Sequence, residues 1–219
     1  MISEQIVSKH RVNKHGEVFT NPREVNAMLD LVKSETERID SRFLAPACGK
    51  GAFLLEILTR KLNVVAKRYK KSLIEYERYA VLAISSIYGI DILEDNVNDC
   101  RKSLSDLFQT KYRSSLKIKC SPECLQTVQF ILSKNIIWGD ALSLKYVNPH
   151  NKPIIFSEWS AVNGKMIKRR DFEFKEILDC STNGLPFFSD EGEEVWLPES
   201  VKEFPVTHYL RLKDAEERA

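Results

Sequence analysis

The sequence predicts an α/β protein: a doubly wound parallel sheet followed by a C-terminal third rich in β-hairpin. Two observations carry this. Over residues 1–157, short apolar runs alternate with longer stretches whose apolar residues recur at helical spacing, the order that builds parallel sheets. Beyond them the alternation stops, and strand-like segments flank Asn163-Gly164, a two-residue type I′ hairpin signal. The expected division is a first domain over 1–157, then a hairpin and loop extension over 158–219 that completes the sheet edge without folding independently.

Each element has a local reason. Residues 22–33 are predicted as a helix, with Val25, Met28, Leu29 and Val32 on one face and Pro22 in the first turn. Residues 42–45 form a short apolar strand running into Gly49 and Gly51, and residues 52–58 continue as a helix. The stretch 60–71 holds six basic residues and no acid, reads either as a surface for phosphate contact or as a solvated face, and leads into a second helix over 73–87. Residues 88–92 are a second strand, 94–108 a helix, and 122–133 a helix opened by Ser121-Pro122. Residues 135–138 are a third strand ending at Gly139-Asp140, residues 153–156 a fourth candidate, and residues 206–212 a closing strand. An acidic loop (Asp190, Glu191, Glu193, Glu194) lies between.

Composition narrows the function classes. The 219 residues carry 33 Lys+Arg against 31 Asp+Glu, a net charge of +2, which excludes a generally polybasic nucleic-acid binder. Eight Gly and eight Pro exclude a collagen-like or low-complexity chain. No apolar run approaches the roughly 18 residues of a membrane span, and residues 1–5 lack the pattern of a signal peptide. Cys48, Cys100, Cys120, Cys124 and Cys180 form an odd, scattered set, as in a reduced cytoplasmic protein. Cys120 and Cys124 have no second pair to complete four ligands, so no metal is expected.

One constellation carries chemistry. The segment Phe43-Leu44-Ala45-Pro46-Ala47-Cys48-Gly49-Lys50-Gly51-Ala52-Phe53-Leu54 takes a strand through a glycine-rich turn into a helix. Such a turn lets a ligand approach the backbone and presents free N–H groups at the helix start. Asp91 follows the next strand, where a carboxylate can accept from ribose hydroxyls, and Ile92 beside it can pack on a base. Asp140 ends the third strand, so all three positions fall at the carboxyl edge of one parallel sheet. The turn lacks G-x-G-x-x-G, and Asp91 follows Gly51 at about twice the roughly 20-residue spacing of dinucleotide-binding folds, which argues against a dehydrogenase.

In order along the chain stand Gly16-Glu17-Val18-Phe19-Thr20-Asn21-Pro22, Ala45-Pro46-Ala47-Cys48-Gly49-Lys50-Gly51-Ala52-Phe53, Gly89-Ile90-Asp91-Ile92 and Gly139-Asp140-Ala141-Leu142. Together they resemble the N6-adenine DNA methyltransferases of restriction–modification systems, in the branch of type I modification subunits. The resemblance covers roughly residues 11–157. It implies a Rossmann-like methyltransferase fold, S-adenosylmethionine as cofactor, and methyl transfer to an adenine amine in DNA. It further implies that Phe19, Thr20 and Pro22 line the methionine end, and that Ala47, Gly49 and Gly51 let the cofactor lie against the backbone. Asp91 and Ile92 would hold ribose and adenine, and Asp140 with Ala141 would meet the adenine amine.

Two departures bear on activity. Ala45 stands where the family usually has an acid toward the methionyl end of the cofactor. Loss of one hydrogen bond to a charged group costs about 1.5–3 kcal/mol, which weakens binding without abolishing it. The family's catalytic tetrapeptide, Asn or Asp followed by Pro-Pro and Tyr or Phe, is absent, since the chain has no Pro-Pro. After the fourth strand stand Ser157-Glu158-Trp159-Ser160. Ser157 can accept from the target amine and Trp159 can stack on an extruded base. Trp159 also fits hairpin core, facing Ile167.

Contact with DNA falls to Lys165, Lys168, Arg169 and Arg170 on the second arm of the hairpin, which read either as a basic ribbon for a groove or as a solvated face. No segment is large enough for separate target recognition, so sequence-specific reading would need a specificity or partner subunit. The leading expectation is an adenine-N6 DNA methyltransferase domain. The alternative is a methylase-like cofactor-binding module lacking catalysis and acting as an accessory subunit. Methylation of protein or RNA is a third reading.

Overall fold

The computed structural model describes residues 11, 20–147, 151–182 and 198–216. Pro22–Asp30 (α1) and the single turn Lys33–Thr36 (α2) precede the first strand, Phe43–Ala45 (β1). Ala52–Tyr69 (α3) and Leu73–Ser85 (α4) lead to Ile87–Asp91 (β2), and Glu94–Leu116 (α5) and Pro122–Asn135 (α6) lead to Ile136–Asp140 (β3). The three strands are parallel, in the order β1-β2-β3, with Ala45 opposite Gly89 and Asp91 opposite Trp138. Lys145–Tyr146 (β4) closes the far edge in antiparallel pairing with β3.

A second, antiparallel sheet follows. Ile155–Ala161 (β5) pairs along its length with Met166–Glu173 (β6). Phe174–Thr182 (α7) comes next, and the two-residue strands Lys202–Glu203 (β7) and Thr207–His208 (β8) both pair with β6. A 3-10 turn, Lys213–Ala215, ends the described chain.

Capping chemistry explains the helix boundaries. Asn21 accepts from Arg23 N–H ahead of Pro22, Ser72 from Glu75 N–H, and Ser121 from Cys124 N–H ahead of Pro122. The Ser72 cap restarts the helix after Lys70-Lys71, which separates α3 from α4. The α5 helix runs eight residues past the predicted end at 108, because Tyr112 is buried and its hydroxyl donates to Glu77 of α4 (2.7 Å). Lys117, with φ 61°, then stops it in the left-handed region.

The α/β expectation holds, with corrections to its finer points. The parallel order β1-β2-β3 never reverses, so the expected doubly wound arrangement takes a one-sided form. The four long helices α3 to α6 pack on one another and share one core with Ile87 and Ile136. Successive right-handed crossovers in one direction place helices on one face. The other face presents Tyr88, Ile90 and Ile137, which are covered by Ile154, Phe156 of β5 and Phe174 of α7.

The fourth strand candidate does not extend the parallel sheet. It starts β5, whose partner is β6, and the sheet edge it was expected to complete is taken by β4. The boundary expected between 157 and 158 falls inside β5. The C-terminal third shares the main core through Trp159, Ile167, Tyr209 and Leu212. The closing strand expected at 206–212 shortens to Thr207–His208.

The hairpin turn also shifts by one residue. Met166 N–H donates to Asn163 C=O (3.0 Å), and Gly164 at the first central position has φ 55° while Asn163 stays at negative φ. That is the glycine placement of a type II′ turn rather than type I′. The acidic loop at 190–194 lies outside the described residues.

Candidate functional site

The carboxyl ends of β1, β2 and β3 lie within about 10 Å of one another, by strand spacing. Past β1 the chain turns through Ala47-Cys48-Gly49-Lys50-Gly51, and Cys48 N–H donates to Ile90 C=O (2.8 Å), which draws the turn across the end of β2. Gly49 N–H then donates to Asp91 Oδ2 (2.8 Å). The other oxygen of Asp91 accepts from Leu93 N–H (2.9 Å) and from the Asn96 side chain (3.3 Å). Asp91 is thereby buried and fully engaged with the turn and the start of α5.

The two glycines serve different ends. Gly49 has φ 52° and nothing within 4 Å of where a Cβ would stand, so its free side opens onto space a ligand can enter. Gly51 has φ 90°, and a Cβ there would stand 2.7 Å from Cys100 Sγ. Close packing of α3 on α5 therefore requires Gly51, and of the two only Gly49 leaves open space beside its backbone. The Cys48 and Cys100 thiols hydrogen-bond beneath the turn, and this contact with burial pushes the Cys48 thiol up.

Ile92, 47% exposed, projects past Asp91, and its carbonyl accepts from Trp138 Nε1 (3.0 Å). At the end of β3, Asp140 accepts from Leu142 N–H (3.0 Å) and Ser143 N–H (3.3 Å), forming a turn that leaves its carboxylate at the surface beside half-buried Ala141. The Ser143 hydroxyl and the Leu142 and Ser143 amides hold this carboxyl below its ordinary range. Gly49, Asp91, Ile92, Asp140 and Ala141 thus share one edge. Ala47 is exposed in the turn, and Thr20 and Pro22 sit at the start of α1. Phe19 lies outside the described residues.

Asn96 and Arg11 are additions that the sequence did not single out. Arg11 donates to Asn96 Oδ1 (3.2 Å) and pairs with Asp95, so its guanidinium reaches this edge. An asparagine in the first turn of a helix and an arginine 85 residues upstream carry no joint signature.

The residues expected to act on a target base sit elsewhere. The Ser157 carbonyl accepts from Tyr88 Oη (2.9 Å) and Glu158 pairs with Arg42, which places β5 by the amino ends of β1 and β2, opposite the glycine edge. The Ser157 hydroxyl is buried between Asp171 (2.7 Å) and Arg169 Nε (3.0 Å). Trp159 is 6% exposed, donates to Asn135 Oδ1 (2.9 Å) and packs edge-on against Phe130. The core reading of Trp159 describes its position, and neither side chain is presented to a base.

The expected basic ribbon is corrected too. Arg169 is buried and paired with Asp171 and Glu216 (2.8 Å each), Lys168 pairs with Glu203 (2.7 Å), and Arg170 with Glu158 (2.6 Å). Lys165 alone of the four stands exposed in the turn. The 60–71 run likewise is not one solvated face: Arg60 binds Asp30 and Glu56, and Lys61 is fully buried.

Comparison with known protein families, curated proteins and solved structures yields no match. Among the described residues no helix is long and apolar enough to cross a membrane.

Proposed function

We propose that this chain is a methylase-like module that binds S-adenosylmethionine and serves as an accessory subunit of a DNA adenine-methylating assembly in the cytoplasm. The convergence of Gly49, Asp91, Ile92, Asp140 and Ala141 on one edge of three adjacent parallel strands carries the reading. The residues fit the group: Gly49 leaves open space against its backbone, Ile92 offers an exposed apolar platform, and Asp140 offers a surface carboxylate for an exocyclic amine. Asp91 would exchange the Gly49 N–H for ribose hydroxyls. When bound, the cofactor would supply an activated methyl group.

The module reading is preferred over a self-sufficient methyltransferase because Ser157 and Trp159 are buried away from this edge. The internal pairing of Lys168, Arg169 and Arg170 leaves DNA contact to a partner subunit.

Two measurements test this. Calorimetric titration with S-adenosylmethionine should give saturable binding that Asp91→Ala weakens at least about tenfold. Incubation with methyl-labelled cofactor and mixed-sequence DNA should leave the DNA unlabelled. Failure to bind the cofactor removes the reading, and label on adenine N6 that is lost in Asp140→Ala replaces it with an active methyltransferase.

A further inference from the structure

A cavity of about 350 Å³ lies where α5 and the far edge of the parallel sheet meet β5 and β6. It contains none of Gly49, Asp91, Ile92 or Asp140 and is a different place in the molecule. Its walls combine flat rings, Trp138 and Tyr146, with half-buried Arg101 and the buried polar groups Ser157, Arg169 and Asp171.

Of its charged lining groups, Arg169 pairs with Asp171 and Lys134 with Glu216, while Glu94 and Arg101 take part in no ion pair among the described residues. Asp171 accepts from Arg169 at both oxygens (2.9 and 2.8 Å) and from Ser157, and the remaining Arg169 nitrogen pairs with Glu216, so this network is complete in itself. Arg101 has no carboxylate partner among the described residues. Its Nε donates to Ile136 C=O (2.9 Å) and its Nη2 to Ser133 C=O (3.3 Å) at the end of α6, and burial lowers its pKa. A half-buried guanidinium held by carbonyls alone, beside aromatic walls, retains its positive charge and an open donor nitrogen.

We propose that this cavity binds a small planar aromatic molecule bearing one carboxylate-like anionic group, with the ring against Trp138 and Tyr146 and the anion on Arg101. The volume lies at the small end of ligand pockets, which matches one or two fused rings. A charge-assisted hydrogen bond to the guanidinium supplies the preference for an anion.

Naphthalene-2-carboxylate and naphthalene-2-carboxamide differ in that charge alone and probe the site in ligand-observed NMR titrations of the full chain. The carboxylate should bind about tenfold more tightly than the amide. Arg101→Gln should remove that preference. Asn98→Trp, at an exposed lining position, should block both ligands while leaving Arg101 in place. Near-UV circular dichroism verifies that each variant is folded, and the Asn98 variant decides if the Arg101 variant is not. Equal affinity of the two probes, no binding of the carboxylate up to about 10 mM, or a preference that survives both substitutions overturns the proposal.

Discussion

The two sheets treat charge in opposite ways. In the parallel sheet, ionisable groups sit at strand ends, where Asp91 and Asp140 accept backbone N–H groups, while the faces are apolar. In the antiparallel sheet, charge runs through the middle: Arg169 and Asp171 of β6 are buried with Ser157 of β5 between them. A partly exposed group at a strand end, such as Asp140, can exchange its partner for a ligand at modest cost. A buried pair cannot, because parting it leaves a charge without water or counter-charge. On the proposed function, the ends of the first sheet bind the cofactor, while the buried pairs of the second hold the structure.

The largest effect that would break this contrast is in the antiparallel sheet. Arg169→Met leaves the buried Asp171 carboxylate unpaired, and urea unfolding should show a loss of about 3–5 kcal/mol. The guanidinium also lies 4.1 Å over the Phe204 ring, so packing is lost with the charge. The double variant Arg169→Met/Asp171→Leu should be markedly more stable than the single one, since no charge is then stranded. If the single change costs under about 1 kcal/mol, the network is solvated like an ordinary surface pair.

The glycine turn sharpens the comparison at smaller scale. Gly51→Ala adds a left-handed penalty and a clash with Cys100 Sγ, which together cost about 2–4 kcal/mol in thermal or urea unfolding. Gly49→Ala meets no atom within 4 Å, so only the left-handed penalty of about 1–2 kcal/mol applies. On the proposed function the order reverses for S-adenosylmethionine binding, where Gly49→Ala does more harm because its Cβ enters the open side of the turn. Equal losses of stability would mean that α5 yields around Cys100.

Local chemistry was legible in the residues. Pro22 after Asn21, Pro122 after Ser121 and the Gly49/Gly51 pair each act through their nearest neighbours, and each marks its element or turn correctly. Assignments that depended on distant partners were not legible. Lys168, Arg169 and Arg170 read as a basic ribbon because the acids that neutralise them, Glu203, Glu216 and Glu158, come from other strands and the C-terminal turn. The segment after Pro153 reads as a fourth strand of the parallel sheet, but β-propensity does not name the pairing partner, which is β6. At the candidate site, Asp91 and Gly49 were visible individually, whereas the hydrogen bond between them follows from the register of β1 on β2.

Lys61 gives the smallest effect and one of definite sign. It lies in the basic run of α3, yet it is fully buried, donating to Ile39 C=O (3.1 Å), Ser86 Oγ (2.6 Å) and Ser41 C=O. Burial lowers its pKa from 10.5 to about 7, with Asp40 and Glu35 opposing. Between those values the unfolded chain binds more protons than the folded one, so this residue makes stability rise with pH above about 7, and below 7 its contribution is constant. Tyr88, Tyr112 and Tyr209 act in the other direction: burial raises each above the ordinary 10.0, so their contribution falls as pH passes through the unfolded value. Cys48 and Cys124, raised from 9.0, act in the same direction as the tyrosines. The lysine is therefore isolated by comparing the wild type with a variant lacking it over pH 7 to about 9. Over that range, the wild type should gain on the order of 1–2 kcal/mol relative to Lys61→Met in urea titrations. Parallel stability curves for the two proteins would mean that the three oxygen acceptors hold the ammonium charged throughout.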